Sequence, residues 1–206
     1  MQRTEDAQTL AGCRGFVFDM DGTLTVPQHD FEAIRAELGI PSGQLILEFI
    51  ATLPAARAAR MHEQLEAIEA RIATESVPAP GLFELLDALQ ERGLPYGLLT
   101  RNSRRNAIIS LRAIGALERF PEPLIAGRED AAPKPEPDGI ALLAARLGLP
   151  VSAIAMVGDY RHDLAAGQRA GCYTVHLHHP GTDAWPELTS LRVQSLTELG
   201  ARLASD

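Results

Sequence analysis

The chain has 206 residues, enough for one compact domain or a domain carrying a modest insertion. Apolar residues make up 46% and charged residues 22%, which argues against a disordered chain or a coiled coil, and no apolar run approaches the ~18 residues of a membrane span. The formal net charge of −8 argues against a nucleic-acid binder, and any anionic ligand must meet positive charge that is built locally.

In chain order, Met1 to Leu10 is polar and carries Glu5 and Asp6; it lacks the basic start and apolar centre of a signal peptide, so the cytoplasm is the expected compartment. Gly15-Phe16-Val17-Phe18 is a short apolar run ending at Asp19 and reads as a buried strand. From Val26 to Pro80 the pattern is helical. Asp30 predicts the cap of a helix with Phe31, Ile34 and Leu38 on one face and a stop at Gly39. Pro41-Ser42 predicts the start of a second, carrying Leu45, Ile46, Phe49 and Ile50, and Pro54 to Thr74 carries Met61, Leu65, Ile68 and Ile72 as a packing stripe. Pro78-Ala79-Pro80-Gly81 breaks the run as a hinge or linker.

Beyond Gly81 the texture is α/β. Helices are predicted from Leu82 to near Gly93, from Ser103 to Ala113, from Pro137 to Leu147, from Asp163 to Ala170 and from Ser195 to Leu203. Strands are predicted at Tyr96 to Leu99, Leu124 to Ala126, Ile154 to Val157, Tyr173 to Leu177 and Leu191 to Val193. This alternation implies a parallel sheet covered on both faces. The helical stretch of roughly fifty residues after the first strand does not fit it and reads as an inserted cap domain. The expected division is 1–25 with 81–206 as the core and 26–80 as the cap.

Three polar sites directly follow predicted strands: Asp19-Met20-Asp21-Gly22-Thr23, Thr100-Arg101-Asn102, and Gly158-Asp159 with Asp163. Ligands of open α/β sheets sit beyond the carboxyl ends of the strands, so these segments can converge on one crevice. Asp19, Asp21, Asp159 and Asp163 gathered there would repel one another, and a hard divalent ion such as Mg²⁺ resolves the repulsion. Lys134 is the only lysine beside 18 arginines and adds positive charge at the same place. An aspartate can attack phosphorus and form an aspartyl phosphate if a neighbouring acid protonates the leaving oxygen; Asp19-x-Asp21 supplies one of each. Gly22 permits the tight turn between them and the approach of backbone N–H groups to a phosphoryl group. Thr100 offers a hydroxyl, and the amides of Arg101 and Asn102 lie near a helix start, where anions bind.

Asp-Met-Asp-Gly-Thr-Leu-Thr after an apolar strand resembles the first motif of the haloacid dehalogenase superfamily. Leu98-Leu99-Thr100-Arg101-Asn102 is similar to its second motif, Lys134-Pro135-Glu136-Pro137 to its third, and Val157-Gly158-Asp159-Tyr160-Arg161-His162-Asp163 to its fourth. The resemblance runs from about Gly15 to Leu177, with the motifs in order. It implies a Rossmann-like core with a mobile helical cap inserted after the first motif. It implies Asp19 as nucleophile and Asp21 as general acid/base, with Thr100 and Lys134 on the phosphoryl group. Asp19, the backbone carbonyl of Asp21, and Asp159 would hold Mg²⁺, with Asp163 behind them or acting through water. Asp21 favours phosphate chemistry over dehalogenation, and the lack of any lysine between Val26 and Pro80 disfavours the phosphonate-cleaving branch. The nearest group is the phosphoglycolate phosphatases, and the expected substrate is a small phosphorylated metabolite, such as a phosphoglycolate-like ester or a sugar phosphate. A phosphosugar mutase and a phospho-accepting receiver-like module are the alternatives. The oligomeric state stays open.

Other residues carry weaker signals. Gln28, His29 and Arg35 sit early in the insertion, where a leaving group would be met. His176-Leu177-His178-His179 offers too few ligands for zinc and reads as a loop at the sheet's edge, with Trp185 packing beneath it. Cys13 and Cys172 have small or apolar neighbours and read as buried thiols.

Overall fold

The computed structural model describes residues 9–28 and 30–205, so His29 lies outside the described residues. Six parallel strands, β1 (Gly15–Phe18), β2 (Tyr96–Leu99), β3 (Ile125–Ala126), β4 (Ile154–Gly158), β5 (Tyr173–Leu177) and β6 (Leu191–Val193), form one sheet in the order β3-β2-β1-β4-β5-β6. The chain leaves β1 in one direction through β2 and β3, then crosses back to β4 on the other side of β1. That reversal places the carboxyl ends of β1 and β4 side by side, with Phe18 opposite Val157.

The central strands β1, β2 and β4 are short and apolar because both of their faces are covered. Side chains alternate between two cores. Phe16, Phe18 and Leu98 face α4 (Leu82–Glu91), α5 (Arg104–Ala113) and α8 (Leu196–Ser205). Val17, Leu99 and Met156 face α6 (Asp138–Leu147) and α7 (Arg161–Ala170). Both cysteines are free and buried, and burial pushes their thiols up to about 11 (Cys13) and about 12 (Cys172).

Between β1 and α4 lie α1 (Phe31–Leu38), α2 (Ile46–Ala51) and α3 (Ala55–Thr74). They have an apolar centre of their own, in which Ile34, Leu38, Ile50, Met61, Leu65 and Ile68 pack only with neighbours from the same segment. Asp30 caps α1 through the Ala33 amide, and Gly39 ends it in the left-handed conformation, both as predicted. The second helix begins at Ile46 and not at Pro41: Gly43 has a φ of +77°, and the Gln44 amide donates to the Pro41 carbonyl, so Pro41 to Gln44 is a turn. The segment leaves and re-enters through two antiparallel strands of chain, tied by Val26 N–H to the Val77 carbonyl and Ala79 N–H to the Leu24 carbonyl, each at 2.9 Å. Gln28 reaches across the same junction to the Glu75 carbonyl. Among the described residues, no helix is long and apolar enough to cross a membrane.

Candidate active site

Asp19 is the first residue beyond β1, and its amide donates to the Val157 carbonyl, which joins it to the β4 side of the sheet. The chain then turns tightly: the amides of Thr23, Leu24 and Thr25, and the Thr25 hydroxyl, all donate to the Met20 carbonyl. Gly22 makes the turn possible with a φ of +89°. A methyl group there would lie 2.4 Å from Asp159 Oδ2, so glycine also leaves the space that the Asp159 carboxylate occupies.

Lys134 reaches this point from the loop before α6, after which a cis peptide bond leads to Pro135. It is buried, with Nζ 2.5 Å from Asp19 Oδ1, 2.6 Å from Asp163 Oδ1 and 2.9 Å from the Leu99 carbonyl. Burial pulls its ammonium down, but Asp163 and Asp19 outweigh burial and hold it above the ordinary range. Asp163 accepts from the Tyr160 amide through its other oxygen at 3.0 Å, so both of its oxygens have partners within the protein.

Asp19, Asp159 and Asp163 each present an oxygen within 4.8 Å of the others. Burial, and then the neighbouring carboxylates, raise Asp159 to about 7; burial also raises Asp19 well above the carboxylate range despite Lys134. One ammonium therefore faces three carboxylates in a site largely shut off from water. A set of oxygen donors with surplus negative charge suits Mg²⁺, and the gap left at Gly22 keeps Asp159 at its rim. The Asp21 side chain is not part of this group of oxygens.

Thr100, beyond β2, accepts from the Asn102 amide at 3.0 Å, which leaves its hydroxyl hydrogen to donate elsewhere. The start of α5 is closed by side chains. Ser103 caps the Asn106 amide, Glu129 accepts from the Arg104 amide, and the Asn102 side chain accepts from Ser103 N–H and Asn106 Nδ2. The Asn102 amide thus has a partner, and Thr100 keeps a hydroxyl proton to give.

These residues floor a cavity of about 320 Å³ whose opposite wall comes from the helical insertion, with Ile34, Arg35, Leu45, Ile46, Leu65 and Glu69 among its lining. A family model described as haloacid dehalogenase-like hydrolase matches residues 13–171. The chain belongs to that family.

Among its relatives in the haloacid dehalogenase-like family, an uncharacterized hydrolase of Saccharomyces cerevisiae is 32% identical over 97% of this chain and 94% of its own. Hexitol phosphatase A of Escherichia coli is 28% identical over 91% of this chain and 93% of its own. Phosphoglycolate phosphatase of Escherichia coli is 36% identical over a shorter stretch, 48% of this chain and 38% of that one. A hydrolase from Pseudomonas syringae has a similar structure, with a TM-score of 0.78 at 25% identity over 93% of this chain and 98% of that one.

Several contacts of this haloacid dehalogenase-like site were not foreseen from the sequence. Arg101 turns its guanidinium to the insertion, donating to Glu48 and to His162 Nδ1 at 2.6 Å each. Burial, and then Arg101, lower His162 to about 4, so it is a neutral acceptor at pH 7. Arg128, beyond β3, holds Glu66 and both oxygens of Glu69 on α3, while Ser103 donates to Glu66. Arg35 lines the cavity but is engaged by Glu32 and the Gln44 carbonyl. The histidine run is not an edge loop. His176 is buried in β5 against the rings of Trp185 and His178, and β6 lies outside it. His179 donates from Nε2 to the Gly22 carbonyl at 2.6 Å and so braces the turn beside Asp19. Trp185 packs as expected, against Leu164, Ala165 and Leu188.

Burial raises Glu69 from 4.5 to about 7 against the pull of Arg128, with the Glu66 and Asp21 charges adding repulsion. Between these two values the folded chain holds a proton that the unfolded chain has released, so stability falls as pH rises through that window. Glu69→Gln removes the cost. In thermal melts at pH 8 it is expected to be more stable than wild type by on the order of 1–3 kcal/mol, and the difference should close by pH 4. Parallel melting curves at both pH values would refute the assignment.

Proposed function

We propose that the protein is a Mg²⁺-dependent phosphatase that hydrolyses a small phosphomonoester through an aspartyl phosphate. The arrangement that supports this best is Lys134 joined to Asp19 and Asp163, with Asp159 alongside, at the carboxyl ends of β1 and β4. The full-length likeness to a hexitol phosphatase supports the same substrate class.

In this reading, Asp19 attacks phosphorus with one carboxylate oxygen. The bond from phosphorus to the alcohol oxygen breaks, and Asp21 donates a proton to that oxygen. Asp21 then takes a proton from water as the water attacks the Asp19-bound phosphoryl group, and the phosphorus–Asp19 bond breaks to release phosphate. Lys134 orients Asp19 and, with the Thr100 hydroxyl, neutralises the phosphoryl oxygens; the Arg101–Asn102 loop borders the same pocket. Asp19, Asp159 and the Asp21 segment would hold Mg²⁺, with Asp163 orienting Lys134 or acting through water. When bound, the ion supplies the positive charge that lets a carboxylate approach a phosphate dianion. Residues 26–80 act as the cap over the core formed by 1–25 and 81–206, and the cap meets the alcohol.

The direct test is free phosphate release from 2-phosphoglycolate, sugar phosphates, hexitol phosphates and p-nitrophenyl phosphate, with Mg²⁺ and with chelator. Turnover should require Mg²⁺ and return with its re-addition. An isomerised sugar phosphate without free phosphate would point to a mutase. A phosphorylated protein that never turns over would point to the receiver-like alternative. A second prediction concerns Gly22→Ala, which strains a left-handed turn and displaces Asp159. It should raise the Mg²⁺ concentration for half-maximal rate by about 10–100-fold, as loss of a support behind a metal ligand does. An unchanged Mg²⁺ titration would count against Asp159 as a ligand.

A further inference from the structure

The wall opposite the carboxylates is built of two kinds of residue. Ile34, Leu45, Ile46 and Leu65 give it an apolar surface, and Phe31 and Tyr160 extend that surface to the mouth, where both stay about half exposed (54% and 51%). Large apolar side chains left in water at a cavity mouth are surface that a bound molecule can cover.

Each cation near this wall has a carboxylate partner, although the buried Arg35 Nε has no hydrogen-bond partner. Arg35 is paired with Glu32 at 2.7 Å, Arg101 with Glu48 at 2.6 Å, and Arg128 with Glu66 at 2.8 Å and Glu69 at 2.7 Å. Arg128 carries one charge against two carboxylates, and Glu69 lines the cavity beside Asp21, whose charge is among those that push its carboxyl up. Lys134 is buried behind the cavity, committed to Asp19 and Asp163. An alcohol bearing a second anion would therefore enter an apolar space with no unmatched cation among the described lining residues and a buried carboxylate facing it.

We propose that this wall selects phosphomonoesters whose alcohol is uncharged and hydroxylated, of the sugar or polyol class, and that Glu69 is the specificity-determining residue that turns away a second anion. This rests on the phosphatase reading given above. Glu69 also accepts hydrogen bonds, so it favours hydroxyl groups for the same reason that it rejects carboxylates. The ester of glycolate, with a carboxylate two bonds from the phosphate oxygen, is then a poor substrate.

The test uses two esters of nearly equal size that differ by one charge: 2-phosphoglycolate and 2-hydroxyethyl phosphate. At a pH above about 8, where Glu69 is ionised, kcat/KM in wild type is expected to favour the hydroxyethyl ester by about tenfold or more, since opposing like charges across a contact is costly. Calorimetric dissociation constants for the Asp19→Asn protein with Mg²⁺ should show the same preference without turnover. Glu69→Gln should shrink both ratios by about tenfold, and Glu69→Asp, which keeps the charge, should retain the preference. Glu48→Gln, which releases Arg101 from its partner, should independently improve 2-phosphoglycolate binding, and it serves if Glu69→Gln folds poorly. Equal treatment of the two esters by wild type and by the Asp19→Asn protein would overturn the proposal, as would ratios unchanged in folded Glu69→Gln and Glu48→Gln proteins. If neither ester is hydrolysed while Asp19→Asn binds the neutral ester preferentially in a Glu69-dependent way, the selection stands and the phosphatase reading fails.

Discussion

Asp19→Asn will lose phosphate release by on the order of 10⁴-fold or more, yet in chelator the protein will melt no lower than wild type. The first half follows from the proposed mechanism, in which Asp19 supplies the attacking oxygen and Asp21 is no substitute because it serves as the acid. The second half follows from the balance of charge around Asp19. Burial outweighs the attraction of Lys134, and Asp163, Asp159 and Asp21 add repulsion, so the carboxyl is raised in the folded chain. A group with a raised folded value loses stability as pH climbs above its unfolded value, and asparagine of the same shape does not. Lys134 still has Asp163 at 2.6 Å and the Leu99 carbonyl at 2.9 Å to hold it. The advantage of the variant should therefore widen from pH 5 to pH 8. Scanning calorimetry in chelator at both pH values measures it, and a melting point well below wild type at pH 8 would show that the Lys134 attraction dominates instead.

Lys134→Ala has the opposite profile: both activity and stability fall. The ammonium is 2% exposed and is the cation that Asp19 and Asp163 share. Removing one partner of a buried ion pair costs about 3–5 kcal/mol, because the remaining charges are left without compensation. For a chain of this size that is a drop in Tm of roughly 10 °C. The carboxylates can recover only by taking up protons, so the loss should be smaller at pH 5 than at pH 8. Activity should fall at least about 10³-fold, since Asp19 loses its orientation and the phosphoryl group loses a cation. Lys134→Arg should not restore it, because a planar guanidinium does not reach three acceptors from the position of a compact ammonium. Wild-type Tm in Lys134→Ala at pH 8 would remove Lys134 from the electrostatic centre of the site.

Much of this was legible because β1, β2 and β4 are continuous apolar runs that stop at the polar residues of the candidate site. Phe18 to Asp19, Leu99 to Thr100 and Val157 to Gly158-Asp159 each mark both the end of a strand and a component of the site, so finding one finds the other. The turn at Pro41 was misread because proline and serine also open helices; Gly43, at a φ of +77°, decides against that. The links between insertion and core were not legible. Arg128 meets Glu66 and Glu69 across about sixty positions, and nothing in their spacing names the partner. One signal was available: Glu69 stands four residues after Leu65, a carboxylate at the edge of an otherwise apolar stripe. His179 gave none, because its bond to the Gly22 carbonyl depends on where the chain beyond β5 folds back.

The sheet order also dictates when the site can come into being. β1 is flanked by β2 and β4, so the first strand synthesised gains its first neighbour near residue 96 and its second near residue 154. At about 5–20 residues per second during synthesis, Asp19 waits several seconds at least for Asp159. The insertion, with an apolar centre made wholly of its own residues, is complete well before that and can settle first. Closing the gap between β1 and β4 is a long-range step that makes both the central pairing of the sheet and the cluster of carboxylates. A divalent ion held by Asp19 and Asp159 would therefore reward only chains that have reached β4, strengthening the central joint of the sheet and leaving nascent chains that end before Asp159 unaffected.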